Sequence, residues 1–385
     1  MGDGLYEENP DTTSIEVEGH LAIMVVWITM NTIWRGITER LSGYSRKNQN
    51  ATGVDVGSRL LKAVTLQPGH GCPMLQGVVI EALGSRSNLD SQSDLEQDRH
   101  LVQVLRTQLS PSPHTVGITV SSPHVLLKRL TFPNMSENDL REHLALELDR
   151  YIPLDVQGAV WDVYRHKVSG ALGNEKDQAV LVVAKKEFIE ERMRQFEQQG
   201  MSVGFVDVDA FSLVNMVAYN YGHEGTWLIV HLGPTGILSV VMEEGHPMHM
   251  HQVSYEADWY GDLLDGVLSP SETFGNGYKI GASESLLLEQ FFKETIEQVI
   301  ETVKDVSEIT DKDVVRGVFL SGGYSVLEGL QSRLADSLDV SVTPVNPFKK
   351  ITVPQDMQQD YRFQKALPLF GIAVGAALRG VLPHD

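Results

Sequence analysis

The stretch Gly53-Val-Asp-Val-Gly-Ser constrains the fold of this chain more than any other segment. Its apolar-flanked aspartate leads into a glycine turn and then into the apolar run Arg59–Leu66, which predicts a strand, a tight turn and a second strand. Gly57 lets the backbone approach a bound group, and nearby N–H groups and the Ser58 hydroxyl can point at phosphate oxygens. Asp55 can hold a metal ion opposite them. The same residues also fit an ordinary hairpin without a ligand.

A second set of strands repeats this arrangement. Trp227–Leu232, Gly236–Glu243 and His246–Val253 read as strand, glycine turn, strand, short turn and strand. The opening hairpin is likewise followed by a third strand, at Gln76–Leu83. Because each triplet carries a glycine turn after its first strand, the sequence predicts two related lobes that face each other.

Composition and charge exclude several classes of protein. The 385 residues are 42% hydrophobic and 21% charged, which is typical of a globular protein with two domains or one large bilobed one. The formal net charge of −20 argues against nucleic acid as the principal partner. The single cysteine, Cys72, excludes an internal disulfide framework and a cysteine-built metal site, and it fits a reducing compartment.

Three histidines, His246, His249 and His251, invite a metal interpretation, because the last two share a face of a strand. No second cluster of ligands accompanies them in the sequence, so solvated or hairpin-end histidines are the preferred interpretation.

The N-terminal segment leaves three interpretations open. Residues 1–18 are acidic and aperiodic, as in a disordered tail, and Gly19–Trp34 lacks charged residues. That run is shorter than the ~20 residues of a spanning helix. We rank an amphipathic helix on a membrane surface or a partner first and a true span second. Translation from Met24 or Met30 is the third interpretation, and no secretory signal fits.

The middle of the chain reads as an inserted βαββα unit. Strands are expected at Val125–Leu130, Val160–Arg165 and Ala179–Ala184. A helix from Ser136 to about Arg150 begins with a hydroxyl cap and an acidic first turn, and a second helix covers Lys186–Gln199.

The C-terminal third predicts a long amphipathic helix, Ser283–Asp305, and a strand, Val314–Leu320, that ends at Ser321-Gly-Gly. A helix at Leu327–Leu338 and a short strand at Val340–Thr343 follow. The last helix, about Lys365 to Leu378, contains small residues that permit close packing on a neighbouring element.

Taken together, these segments resemble the actin-like ATPase superfamily and, more narrowly, the type IV pilus assembly PilM family, related to the cell-division protein FtsA. The resemblance covers roughly residues 51–380. Its motifs are Gly53-Val-Asp-Val-Gly-Ser with Lys62-Ala-Val, Glu147-Leu-Asp-Arg-Tyr-Ile-Pro-Leu, Ala184-Lys-Lys-Glu, Val206-Asp-Val-Asp-Ala-Phe-Ser-Leu, Leu320-Ser-Gly-Gly-Tyr-Ser-Val-Leu-Glu-Gly-Leu, Asn346-Pro-Phe and Gly371-Ile-Ala-Val-Gly-Ala-Ala-Leu-Arg.

The resemblance implies an α/β, bilobed actin-like ATPase fold with a small inserted α+β subdomain. The first lobe would comprise residues 51–122, 205–225 and 365–380, the inserted subdomain 123–204 and the second lobe 226–364. Residues 1–50 would form an N-terminal tail with the apolar or amphipathic segment.

The resemblance also implies ATP held between the lobes, with Mg²⁺ on Asp55. The residues that it assigns to the nucleotide are Asp55, Gly57, Ser58, Lys62, Gly233, Thr235, Glu294, Gly322 and Gly323. One departure from the family pattern matters: where its second phosphate loop carries an aspartate, this chain has His231, and Pro234 removes a backbone donor. We therefore expect slow or absent ATP hydrolysis.

As partner, the resemblance implies the N-terminal peptide of a PilN-like inner-membrane protein, docked between the first lobe and the inserted subdomain. Helix 136–150 and strand 126–130 would form walls of that groove. Other inner-membrane components of the pilus machine and a homo-oligomer are compatible with it, and the location would be cytoplasmic, peripheral to the inner membrane. A kinase of the same superfamily, using Asp207 or Asp209, and an FtsA-like cell-division protein are the alternatives.

Overall fold

The computed structural model describes residues 50–57, 59–82, 102–103, 105–108, 115–121, 124–152, 156–167, 176–255, 282–309 and 315–382. Ser58 and the segment 1–49 lie outside these ranges. So does most of the segment between residues 85 and 109, where a polar loop followed by a helix is expected. No helix among the described residues has the length and apolarity that a membrane span requires.

The strands are, in chain order, β1 (Ala51–Val56), β2 (Leu60–Gln67), β3 (Met74–Ala82), β4 (Thr115–Val120), β5 (Val125–Pro133), β6 (Ala159–Lys167), β7 (Lys176–Lys185), β8 (Val203–Val208), β9 (Thr226–Gly233), β10 (Gly236–Glu243), β11 (His246–Ser254), β12 (Gly317–Ser321) and β13 (Ser341–Pro344). The helices are α1 (Glu137–Tyr151), α2 (Lys186–Gln198), α3 (Asp209–Tyr221), α4 (Ala282–Ile309), α5 (Leu330–Leu338), α6 (Gln355–Gln359), α7 (Tyr361–Ala366) and α8 (Gly371–Val381). Short 3₁₀ turns cover Val156–Gly158, Gly323–Val326 and Leu367–Phe370.

Two five-stranded sheets share one topology. The first has the order β3-β2-β1-β4-β8 and the second the order β11-β10-β9-β12-β13. In each sheet the first three strands pair antiparallel, and the remaining pairs, β1–β4–β8 and β9–β12–β13, are parallel. The prediction of two related lobes, each opening on a strand triplet, is confirmed, and the fold is the expected bilobed actin-like one.

The third sheet is small and antiparallel, with the order β5-β7-β6. Helix α1 packs on it through residues four apart, Leu140, Leu144 and Leu148, which lie in one apolar cluster with Phe132 and Leu181. The expected hydroxyl cap is present, because the Ser136 side chain accepts the N–H of Asp139. This insert therefore has an apolar core of its own.

The small residues of α8 let it lie directly against β1 and α3. A Cβ on Gly53 of β1 would come within 2.0 Å of the Ala373 carbonyl oxygen, and one on Gly375 within 1.8 Å of the Ser212 carbonyl oxygen. Only glycine fits at either place, and the helix closes the core of the first lobe.

Two predicted helices have different bounds in the structure. The single helix expected over residues 365–378 is divided into α7, a 3₁₀ turn and α8, because Pro368 interrupts it. The helix expected from Leu327 begins at Leu330, because Gly329 adopts a left-handed conformation with a φ of 89°. The strand expected from Val314 begins at Gly317. No sequence pattern predicted the short helix α6.

Candidate functional site

The first hairpin brings an acid and a base together. Asp55 and Lys62 are directly opposite each other on β1 and β2, and the ammonium nitrogen lies 2.7 Å from Asp55 Oδ2. Both residues are buried. The Lys62 charge compensates the carboxylate, which burial would otherwise disfavour.

Gly57 closes the turn beside this ion pair. Its N–H donates to the Leu60 carbonyl at 3.0 Å, and a Cβ at this position would lie 2.9 Å from that oxygen and 3.5 Å from Lys62 Nζ. Glycine therefore keeps open the space next to the ammonium group, as the sequence indicated for a backbone that approaches a ligand.

His231 links the first hairpin to the second lobe. Burial and the charge of Lys62 lower the pKa of His231 to about 4, and Asp55 opposes them. The imidazole is therefore neutral at physiological pH. Both charges of the Asp55–Lys62 pair act electrostatically on His231.

The glycine segment after β12 completes the cluster. Ser321 Oγ lies 3.3 Å from His231 Nδ1 and 3.2 Å from the Pro368 carbonyl oxygen, to which the Gly322 N–H also donates at 2.9 Å. Gly322 has a φ of 92°, and a Cβ there would come within 2.3 Å of the Leu232 carbonyl oxygen. The glycine segment after β12 is thus packed directly against the end of β9.

The other residues predicted to bind the nucleotide lie in different surroundings. Gly233 ends β9, with His231 Nε2 4.0 Å from the position of its absent Cβ, and Gly323 begins a 3₁₀ turn. Thr235 is exposed at the hairpin tip, where its carbonyl accepts the Tyr255 N–H. Glu294 accepts a hydrogen bond from Gln290 within α4.

Sequence reasoning missed Ser321 as a member of this cluster. Its position just before the Gly-Gly pair was the available signal, but its neighbours His231 and Pro368 are distant in sequence. The pairing of β9 with β12 sets Ser321 directly beside His231.

Asp207 and Asp209, the candidate bases of the kinase alternative, have local partners. Asp207 is buried, accepts from the Ser212 hydroxyl at 3.0 Å and lies 3.2 Å from Arg379 Nη1. Asp209 accepts the N–H of Ala210. The N-cap of α3 is Val208, which forms no side-chain capping hydrogen bond.

A small cavity, with room for about one water molecule, lies in the core where the insert packs against the first lobe. Most of its wall is apolar, with Trp161, Ala184, Ile189 and six valines, Val120, Val125, Val160, Val182, Val206 and Val208. Asp162 also lines it and is only 1% exposed. Its Oδ1 accepts from Arg141 Nη1 and from the Val163 N–H, each at 2.8 Å, whereas Oδ2 accepts no hydrogen bond.

Burial raises the pKa of Asp162 to about 6, although Arg141 favours the ionised form. The carboxylate is therefore mainly ionised at neutral pH and poorly solvated. The unsatisfied oxygen, Asp162 Oδ2, would be stabilised by any hydrogen-bond donor that reaches it.

The insert also contacts the second lobe. The Tyr164 hydroxyl on β6 is hydrogen-bonded to His246 Nδ1 on β11, and the Tyr164 ring meets Phe211 of α3 edge-on. His251 Nδ1 lies 3.4 Å from Thr302 Oγ1. Within the described ranges, no three His, Cys, Asp or Glu side chains are grouped as metal ligands.

Comparisons with known proteins agree with this architecture. The PilM–PilN type IV pilus biogenesis complex contains a chain that is 19% identical, with a TM-score of 0.68 over 86% of this chain and 99% of that one. The ethanolamine utilization protein EutJ from Carboxydothermus hydrogenoformans is 14% identical, with a TM-score of 0.47 over 86% and 89%. The cytoplasmic domain of EpsL from Vibrio cholerae is 11% identical, with a TM-score of 0.38 over 71% and 82%.

The family comparison covers both lobes. The model of the type IV pilus assembly protein PilM family matches residues 53–233 and 273–381, a range that includes the first glycine turn, the insert and α8. The chain therefore belongs to the type IV pilus assembly protein PilM family.

Proposed function

We propose that this protein is a cytoplasmic, membrane-peripheral scaffold of type IV pilus assembly that binds a nucleotide between its lobes. In the same proposal, it captures the N-terminal peptide of a PilN-like inner-membrane protein between the first lobe and the insert. The observation that carries the proposal is the match of the PilM family model over residues 53–233 and 273–381. The buried Asp55–Lys62 pair beside the turn at Gly57 supports the nucleotide site.

The residues present fit a phosphorylated ligand better than they fit a hydrolytic centre. Lys62 supplies a cation for phosphate oxygens, and Gly57 and Gly322 leave room for close approach of the backbone. Asp55 is the acidic group that would hold Mg²⁺. The expected cofactors are therefore ATP and Mg²⁺.

Weak or absent ATP hydrolysis is expected from the residues at the second glycine turn. His231 is neutral and Pro234 has no N–H to donate, so this side of the site lacks the anionic group that would position magnesium and water. Purified protein is expected to bind ATP while releasing phosphate slowly or not at all. Rapid, magnesium-dependent release would refute this part of the proposal.

The peptide partner is supported by the family match and by the similarity of this chain to one in the PilM–PilN complex. An extended segment would gain affinity from strand-like hydrogen bonds and from a few buried side chains. The contacts of Tyr164 with His246 and Phe211 connect the insert to both lobes, so a nucleotide that changes the lobe arrangement can change the surface between the first lobe and the insert.

The test uses synthetic peptides with the N-terminal sequences of the organism's own bitopic pilus proteins. Binding is measured by fluorescence anisotropy with and without ATP, on the full-length protein. The PilN-like peptide is expected to bind, and to do so with a different affinity when ATP is present. Failure of every such peptide to bind in either condition overturns the docking proposal.

A further inference from the structure

Ser321 lies on the face of the second sheet that is turned toward the first lobe. On β9, His231 shares that face with Ile229 and Gly233, because side chains alternate along a strand. Ile229 belongs to the same apolar cluster as Val54 of β1, which fixes the direction of the face. The parallel register of β9 and β12 sets Ser321 directly beside His231, and Ser321 is fully buried there.

The Ser321 hydroxyl has a single proton to donate, and two acceptors lie close to it. Its Oγ is 3.2 Å from the Pro368 carbonyl oxygen and 3.3 Å from His231 Nδ1. A carbonyl can only accept, so a hydroxyl that donated to His231 would leave two acceptor oxygens facing each other without a proton between them. A hydroxyl that donates to Pro368 keeps its lone pairs for an Nδ1–H of the imidazole, and each close pair then shares a proton.

This network fixes the tautomer of His231. The imidazole is neutral at physiological pH, because burial and the charge of Lys62 lower its pKa to about 4. A neutral imidazole carries one N–H, and Nδ1 uses it for Ser321, so Nε2 is left with a lone pair. Nε2 lies 4.0 Å from the position that a Cβ on Gly233 would occupy. The lone pair is therefore presented at the glycine turn that joins β9 to β10.

We propose that Ser321 is a positioning residue of the nucleotide site, which holds His231 in the Nδ1–H tautomer so that Nε2 is a hydrogen-bond acceptor at the second glycine turn. The inference rests on the proposed binding of a nucleotide between the lobes. The phosphate oxygens of ATP are acceptors at neutral pH, so they cannot bond directly to this lone pair, whereas a water molecule or a hydroxyl group can donate to it. Ser321 thereby keeps the phosphates from bonding to His231 and leaves them to Lys62 and to backbone N–H groups.

The tautomer is tested by nuclear magnetic resonance on the full-length protein with isotope-labelled histidine. Nitrogen shifts distinguish a protonated ring nitrogen from an unprotonated one, and His231→Asn identifies the signal by its loss. The unaltered protein is expected to show a protonated Nδ1, and Ser321→Ala a protonated Nε2. Ser212→Ala is the control, because Ser212 is equally buried and its hydroxyl donates to Asp207 instead; it is expected to leave the signal unchanged. A protonated Nε2 in the unaltered protein overturns the inference.

Nucleotide affinity supplies a second measurement. In Ser321→Ala the imidazole can carry its proton on Nε2 and donate it to a phosphate oxygen. ATP is therefore expected to bind about tenfold more tightly by isothermal titration calorimetry, the lower end of what a hydrogen bond to a charged group contributes. Ser212→Ala is expected to bind ATP as the unaltered protein does.

The direction of the change separates this role from a structural one. Loss of packing alone would weaken ATP binding, so equal or weaker binding by Ser321→Ala contradicts the proposal. Absence of ATP binding by the unaltered protein instead overturns the nucleotide site itself, and the tautomer measurement still decides whether Ser321 positions His231.

Discussion

The Asp162 carboxylate is buried, and its burial makes the free energy of unfolding depend on pH. Its pKa lies near 6 in the folded protein and near the ordinary value of 3.8 when unfolded, so the folded state retains the proton to higher pH. The contribution of this group to the free energy of unfolding therefore falls as pH rises from about 4 to about 6. A shift of this size corresponds to about 3 kcal/mol.

Asp162→Asn is expected to remove this decrease in the free energy of unfolding with rising pH. The difference in free energy of unfolding between the variant and the unaltered protein should move in favour of the variant by about 3 kcal/mol between pH 4 and pH 7, measured by urea denaturation. Asp149→Asn serves as the exposed control, and parallel pH profiles for Asp162→Asn and the unaltered protein would contradict the burial argument.

His231 offers a test of why hydrolysis should be weak. Replacing it with aspartate restores an anionic group opposite Asp55, close to a lysine that can compensate it. We expect magnesium-dependent phosphate release to rise by about tenfold, which corresponds to roughly 1.4 kcal/mol in the barrier. His231→Asn, which adds no charge, is the control, and an equal rise in both variants would mean that charge is not the missing element.

The residues of the candidate site and of the cavity differ in how far sequence could identify them. Asp55, Gly57 and Lys62 follow from one hairpin, because strand pairing sets the acid opposite the base. Ser321 depends on a contact between segments that are far apart in the chain, and its place before the Gly-Gly pair was the local signal. The partner of Asp162 is Arg141 on another element, and no local pattern marks that pair. The roles of the predicted residues in nucleotide binding remain predictions.

At the scale of helices and strands, the close packing of α8 predicts that a single added methyl group lowers the free energy of unfolding. Gly375→Ala improves helix propensity by about 1 kcal/mol, but its Cβ would lie 1.8 Å from the Ser212 carbonyl oxygen. The clash is expected to prevail and to lower the free energy of unfolding by about 2 kcal/mol. At Gly158 an added Cβ meets nothing within 4 Å, so Gly158→Ala is the matched control. Thermal denaturation of both variants distinguishes the outcomes.

Strands were easier to predict than helix ends. Gly236–Glu243 has the predicted bounds, since its apolar run is framed by glycine and by a turn. The last predicted helix was wrong because small and apolar residues continue across Pro368, where tertiary contacts to Gly322 and Ser321 support a 3₁₀ turn. Local periodicity carries no information about such contacts.

At the scale of the whole molecule, Tyr164 joins the insert to both lobes. Tyr164→Phe removes the hydrogen bond to His246 while keeping the ring beside Phe211. We expect peptide affinity without ATP to stay within about twofold and the effect of ATP on that affinity to shrink toward none. The measurement is the anisotropy titration described above, and Tyr361→Phe, at an exposed position, is the control. An unchanged ATP effect would exclude this route of coupling.

The position of α8 has a consequence for biosynthesis. The sheet that begins at residue 51 receives its covering helix from residues 371–381, so the groove above Gly53 stays open while more than three hundred intervening residues are translated. The N-terminal lobe cannot mature before the other lobe has been made. A ribosome stalled ahead of residue 371 would therefore hold a nascent chain whose first sheet is still protease-sensitive and available to chaperones.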